Sequence, residues 1–172
     1  INLNTVNFLF LFLGILCHGT PRNLLAALDQ GVRGGAGIVI QFPFYAGIMA
    51  IMTGSGLAAS MSEWFVSIST AESLPFWAFI SAGIVNIFVP SGGGQWAVQA
   101  PVMLPAAEAL GADIPRVVMG VAWGDAWTNL LQPFWALPML GIAGLKPRDI
   151  MGFCVVQLLI TGLVIGGLLY LL

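Results

Sequence analysis

The residues able to do chemistry in this largely apolar chain gather in two segments. One is Trp123-Gly124-Asp125-Ala126-Trp127-Thr128-Asn129, followed by Gln132-Pro133. Asp125 is the only acid in a long apolar stretch, and a carboxylate at membrane depth is costly enough to mark a functional site by default. Pro133 has no N–H, so a carbonyl near residue 129 loses its helical partner. That carbonyl and the side-chain oxygens of Thr128 and Asn129 could coordinate a cation such as Na+ near Asp125. The alternative is that Asp125 caps a helix end at the interface or pairs with Arg116. No resident metal or cofactor is assigned.

The other segment runs Asn86-Ile87-Phe88-Val89-Pro90-Ser91-Gly92-Gly93-Gly94-Gln95-Trp96. Consecutive glycines at membrane depth are tolerated only where the backbone is buried in protein or lines a wet cavity. Glycine also lets backbone amides approach a ligand closely. A helical arm starting at Trp96 would aim its free N–H groups into such a site, and that end favours a carboxylate. A tight external turn between two ordinary spans is the alternative. No Gly-Lys-Ser/Thr follows, which argues against a nucleotide-phosphate loop.

The elements that must hold these segments are membrane helices. Apolar residues make up 59% of the chain and charged residues 7%, against about 25% charged in a soluble domain. Mean hydropathy is +0.97. Several apolar runs extend to about 20 residues, the length that crosses a bilayer core. A net charge of −2 gives no reason to expect nucleic acid. Cys17 and Cys154 sit in apolar runs and read as buried small hydrophobes. The chain opens Ile-Asn-Leu-Asn with no basic n-region, and so reads as a piece of a longer protein.

Along the chain, Leu3 to Cys17 reads as a span, ended by His18-Gly19-Thr20-Pro21. An amphipathic interfacial helix follows over 21–33, then a span over 35–53 interrupted by Pro43. Residues 58–73 carry Glu63 and Glu72 and no base. The stretch 74–110 divides into two apolar arms, each short for a full crossing, and reads as a re-entrant hairpin. Residues 117–145 read as one helix broken at Pro133 and Pro138, and 150–172 as a span. Arg22, Arg33, Lys146 and Arg148 share the cytoplasmic side only if 74–110 enters and leaves on one face. Arg116 does not fit that pattern, and the C-terminus then lies outside. The pairs Gly31/Gly35, Gly120/Gly124 and Gly162/Gly166 have the spacing of close helix packing. His18 reads as an interfacial residue or a proton relay. The expected fold is all-α: one transmembrane region over 1–172, with a re-entrant hairpin and a broken helix, as in transporters built from inverted repeats.

At these two segments the chain resembles the bacterial short-chain fatty acid transporters. Residues 86–101, Asn-Ile-Phe-Val-Pro-Ser-Gly-Gly-Gly-Gln-Trp-Ala-Val-Gln-Ala-Pro, look like the hairpin signature of that family. Residues 123–135 look like its second signature. The resemblance extends through Gln41-Phe42-Pro43-Phe44-Tyr45 and Lys146-Pro147-Arg148-Asp149. It implies ion-coupled uptake of acetoacetate and butyrate across the bacterial inner membrane by a multi-pass homodimer embedded in the lipid bilayer. It implies that the N-terminal repeat is missing from this chain, so that these residues alone should not transport. It places the substrate carboxylate at Ser91, Gly92, Gly93, Gly94, Gln95 and Trp96. The apolar tail then lies on Trp96, Trp127 or Phe134. Asn86, Asp125, Thr128 and Asn129 handle the coupling ion, H+ or Na+. Competing expectations are an exporter or antiporter of another small organic anion, and a membrane-embedded enzyme using Asp125 and His18. No serine-hydrolase, zinc or nucleotide motif supports the enzyme.

Overall fold

The computed structural model describes residues 2–132 and 136–171, apart from the side chain of Ile38. The expected break at Pro133 and the contact assigned to Phe134 lie outside the described residues. Those residues form eight helices and no strand.

Helix α1, Leu3–His18, starts where the Asn2 side chain accepts from Thr5 N, and stops at Gly19, whose φ is 67°. Helix α2, Pro21–Gly54, starts at Thr20, whose hydroxyl accepts from Asn23 N, with Pro21 in the first turn. The expected interfacial helix and separate span are one continuous helix that passes through Gly34, Gly35 and Pro43. Glycine lowers helix propensity by about 1 kcal/mol without forbidding helix. Residues 31–40 also hold no Ser, Thr, Asp or Asn to cap a new start. The α2 stretch from Gly34 to Gly54 is free of charge and, at 1.5 Å per residue, reaches about 30 Å. Gly56, at φ 74°, then turns the chain into α3, Leu57–Ser67.

Helices α4, Leu74–Phe88, and α5, Gly92–Leu110, are separated only by Val89, Pro90 and Ser91. The glycine run is therefore helical, a correction to the reading that placed it in a loop and began the second arm at Trp96. The cause is Ser91, whose hydroxyl accepts from Gly94 N at 3.3 Å and caps α5. Helix α6, Ile114–Thr128, starts before the expected residue 117, because Asp113 caps it and Pro115 fits its first turn. A turn over 129–131 ends it. Helices α7, Leu137–Ala143, and α8, Pro147–Leu171, complete the chain.

Helix α4 lies at the centre and makes its widest contact with α6. Leu74, Ala78 and Ala82 of α4 bury with Met103 and Ala107 of α5 and Val117 and Val121 of α6. The close approach of α4 and α6 depends on glycine. A methyl at Gly120 would meet Pro75 O, and one at Gly124 would meet Phe79 O and, at 2.7 Å, Ala82 Cβ. Gly162 of α8 receives the Trp127 ring, whose Nε1 donates to Leu158 O at 2.8 Å. A methyl at Gly31 or Gly35 would meet nothing within 4 Å, so close packing does not require glycine at either position here.

Arg116, the charge left over by the orientation argument, donates from Nη2 to Leu169 O at 2.9 Å. It satisfies a carbonyl in the last turn of α8, where helical partners run out. It does not pair with Asp125, which removes the expectation of a structural ion pair there. Much of the rest of the described surface is apolar. No described residue of α1 is buried, and Phe153 and Leu163 of α8 are 81% and 79% exposed. Cys17 is exposed on α1 and not buried as expected, and Cys154 is partly buried; neither is in a disulfide. Helices α2 and α8 are long and apolar enough to cross a membrane.

Candidate functional site

Two helix ends of opposite polarity meet beside Asp125. At its C-terminal end α6 runs out of intrahelical donors, so its last carbonyls carry partial negative charge. Asn86, fully buried near the end of α4, answers them. Its Nδ2 lies 2.8 Å from Asp125 O, 3.0 Å from Thr128 Oγ1 and 2.9 Å from Asn129 Oδ1. One amide nitrogen with two protons thus faces three oxygens. Because a backbone carbonyl only accepts, Asp125 O fixes the nitrogen on that side and leaves Asn86 Oδ1 buried without a partner. Gln132 Nε2 adds a bond to Ile87 O and ties the turn after α6 back to α4.

The carboxylate of Asp125 points the other way, toward the N-terminal end of α5. A methyl on Gly92 would lie 3.4 Å from Asp125 Oδ2. Gly92, Gln95, Trp96 and Asp125, with Val118, Val121 and Ala122, line a cavity of about 270 Å³ between α5 and α6. Asp125 therefore joins two sites: its carbonyl belongs to the oxygen cluster with Asn86, Thr128 and Asn129, and its carboxylate to the cavity.

The rest of the anticipated substrate set is more scattered. Ser91 caps α5 and lines a smaller pocket, about 70 Å³, against Phe42, Tyr45 and Met49 of α2. A methyl at Gly94 would lie 3.0 Å from Met49 Sδ, so that side chain would have to shift to admit it. Gly93 is exposed, with nothing within 4 Å of a methyl at that position. Trp127 packs on Phe79, with ring centroids 4.7 Å apart. His18 bonds Gly14 O at 2.7 Å and lines a different cleft, between α1 and α2, so it shares no site with Asp125. That cleft and another between α2 and α7 are larger, about 410 and 540 Å³, but among the described residues His18 and Gln30 are the polar side chains that line them.

Sequence reasoning missed Gln99, Ser62 and Ser81, which are fully buried and hydrogen-bonded into one network with Gln95. A signal was present for the glutamines. Gln95, Gln99, Met103 and Ala107 recur every fourth residue and make the buried face of α5. Nothing in the sequence singles out the serines.

The family model for short chain fatty acid transporters matches residues 1–172. The chain belongs to the short-chain fatty acid transporter family. A protein of Escherichia coli K12 named "Putative short-chain fatty acid transporter" is 48% identical over 164 residues. A protein of the same name from Haemophilus influenzae Rd is 48% identical over 161 residues. The matches cover 95% and 94% of this chain but 37% and 36% of those relatives, so the chain spans little more than a third of their length. No solved structure matches the chain. As a member of a transporter family with two helices able to cross a bilayer, it is a membrane protein.

Proposed function

We propose that these residues form the C-terminal repeat of a secondary active transporter that moves short-chain carboxylates, acetoacetate and butyrate among them, across the bacterial inner membrane on an H+ or Na+ gradient. The observation that carries this reading is the meeting of the α5 N-terminus and the α6 C-terminus at Asp125. The first favours an anion and the second a cation. The substrate carboxylate lies at the first turn of α5 beside Gly92 and Gln95, with its apolar tail on Trp96. Asn86, Thr128, Asn129 and the Asp125 carbonyl hold Na+, or Asp125 carries the proton. The Asp125, Thr128 and Asn129 oxygens now accept from Asn86 Nδ2, so a hard cation would take them as donors only once the Asn86 amide turns aside.

In this reading α4 and α5 form a re-entrant hairpin whose tip at Pro90 and Ser91 reaches mid-membrane, and α6 with α7 is the broken helix. Arg22, Arg33, Lys146 and Arg148 face the cytoplasm in a multi-pass protein. A second, inverted repeat supplies the rest of the site, and two copies form a homodimer. The test is uptake of radiolabelled butyrate by proteoliposomes containing the complete gene product, with H+ and Na+ gradients imposed separately. Accumulation above the outside concentration under one gradient is the expected result and names the coupling ion. A folded protein that accumulates butyrate under neither gradient contradicts the reading.

A further inference from the structure

We propose that Ala122 and Val118 of α6 set the length of acid this protein takes: Ala122 admits the apolar tail beside Trp96, and Val118 stops it. The inference rests on the reading that the cavity between α5 and α6 holds the substrate, and it names the side chains that measure the tail.

That cavity has a polar end and an apolar end. Helix α5 starts where α6 finishes: a methyl on Gly92 would lie 3.4 Å from Asp125 Oδ2. Further along α5, Met103 and Ala107 bury with Val117 and Val121, which come earlier on α6. The two helices are therefore antiparallel. Gly92, Gln95 and Asp125 make the polar end, and Trp96, Val118, Val121 and Ala122 make the rest. Trp96 and Val118 are the lining residues farthest from Gly92 and Asp125 on their helices, so they close the apolar end.

The dimensions suit a short tail. Along α6, Ala122 stands roughly 4.5 Å from Asp125 and Val118 roughly 10 Å. Three C–C bonds of about 1.5 Å carry the methyl of butyrate about 4 Å from its carboxyl carbon. With the carboxylate at Gly92, a four-carbon acid therefore ends level with Ala122. Van der Waals contact with the Val118 methyls, at about 4 Å, takes up most of the wall that remains. The chain runs out of room after about one or two more carbons.

The other walls are fixed by the core. Val121 is buried with Leu74, Ala78 and Met103, and Trp96 packs on the same cluster. Val118 is half-buried and Ala122 exposed, and neither belongs to that cluster. A change at either position reshapes the cavity without unpacking α4, α5 and α6. One methylene more or less in an apolar pocket shifts discrimination by about tenfold or more.

The experiment is displacement of labelled butyrate from the complete gene product, purified in detergent, by unlabelled propionate, butyrate, hexanoate and octanoate. Wild type is compared with Val118→Ala and Ala122→Leu, with labelled propionate as the probe for Ala122→Leu. In wild type, octanoate should displace at least about tenfold less well than butyrate. Val118→Ala removes two methyl groups from the closed end and should raise hexanoate relative to butyrate by about tenfold. Ala122→Leu fills the space beside Trp96 and should lower butyrate relative to propionate by about tenfold. Shifts in opposite directions cannot come from a general loss of folding. The same order of acids in all three proteins, with butyrate still bound, overturns the proposal and leaves the transport reading intact, because the tail then lies outside this cavity. Affinity that keeps rising through octanoate in wild type also overturns it, because nothing then closes the apolar end. A folded wild type that binds no butyrate contradicts the transport reading itself, and the proposal falls with it.

Discussion

Asn86→Leu is expected to bring gradient-driven butyrate uptake to background and to destabilise the protein by about 1–3 kcal/mol. Leucine nearly matches asparagine in shape, so the space at the end of α4 stays filled. The loss is the donor. Asp125 O, Thr128 Oγ1 and Asn129 Oδ1 all lie within 3.0 Å of the Asn86 nitrogen. Thr128 keeps a long bond to Gly124 O at 3.4 Å. The Asp125 carbonyl has no such substitute at a helix end, and leaving a buried acceptor bare costs more than an ordinary hydrogen bond contributes. The same carbonyl belongs to the residue whose carboxylate faces the cavity, so its release also shifts Asp125 relative to Gly92. Uptake assays and thermal unfolding in detergent check both effects. Wild-type uptake in Asn86→Leu would mean that the oxygen cluster plays no part in transport.

Gly124→Ala is expected to disrupt the packing of α4 on α6 and to lower stability by about 3 kcal/mol, toward the upper end of overpacking costs. The added methyl would meet Phe79 O, Ala82 Cβ at 2.7 Å and Gly83 N at 3.0 Å. These are backbone atoms and a Cβ, and none can rotate away. The helices must separate, and Asp125 is the next residue. Gly167→Ala on α8 is the control: nothing lies within 4 Å of a methyl there. Helix propensity alone then favours alanine by about 1 kcal/mol. Unfolding temperatures measured side by side should fall for Gly124→Ala and hold or rise for Gly167→Ala. Equal values would contradict the packing assigned to Gly124.

How far the sequence could be read followed from how local each signal is. Caps and turn glycines are local, and the ends at Gly19, Thr20 and Gly56 follow from a few adjacent residues, whereas the Asp113 cap and Pro115 place the start of α6 earlier than the expected residue 117. The continuity of α2 was misread because Gly34, Gly35 and Pro43 look like breakers one at a time. Against a break there stands the lack of a Ser, Thr, Asp or Asn side chain to cap a new start. The glycines after Ser91 were misplaced for the converse reason: a serine cap was available, and it pulled them into the first turn of α5.

In the site, Asp125, Thr128 and Asn129 were legible together because they share one stretch of chain. That Asn86 reaches them from 39 residues away, by the bond to Asp125 O, is a tertiary fact. It entered beforehand only through the resemblance to a known signature. The Gln95, Gln99, Ser62 and Ser81 network spans three helices. Only its Gln95/Gln99 part, one turn apart on a single face, leaves a trace in the sequence.

The measurement that bears most directly on Asp125 as the junction of substrate and ion is butyrate accumulation by Asp125→Asn in proteoliposomes of the complete gene product, under H+ and Na+ gradients in turn. Asparagine keeps the size of the side chain and the backbone carbonyl that Asn86 holds, and it removes the group able to bear the proton or the negative charge. The folded variant should be recovered at wild-type yield, and its internal butyrate should never exceed the outside concentration under either gradient. Accumulation equal to wild type under the driving gradient would contradict the coupling role and detach Asp125 from the transport cycle.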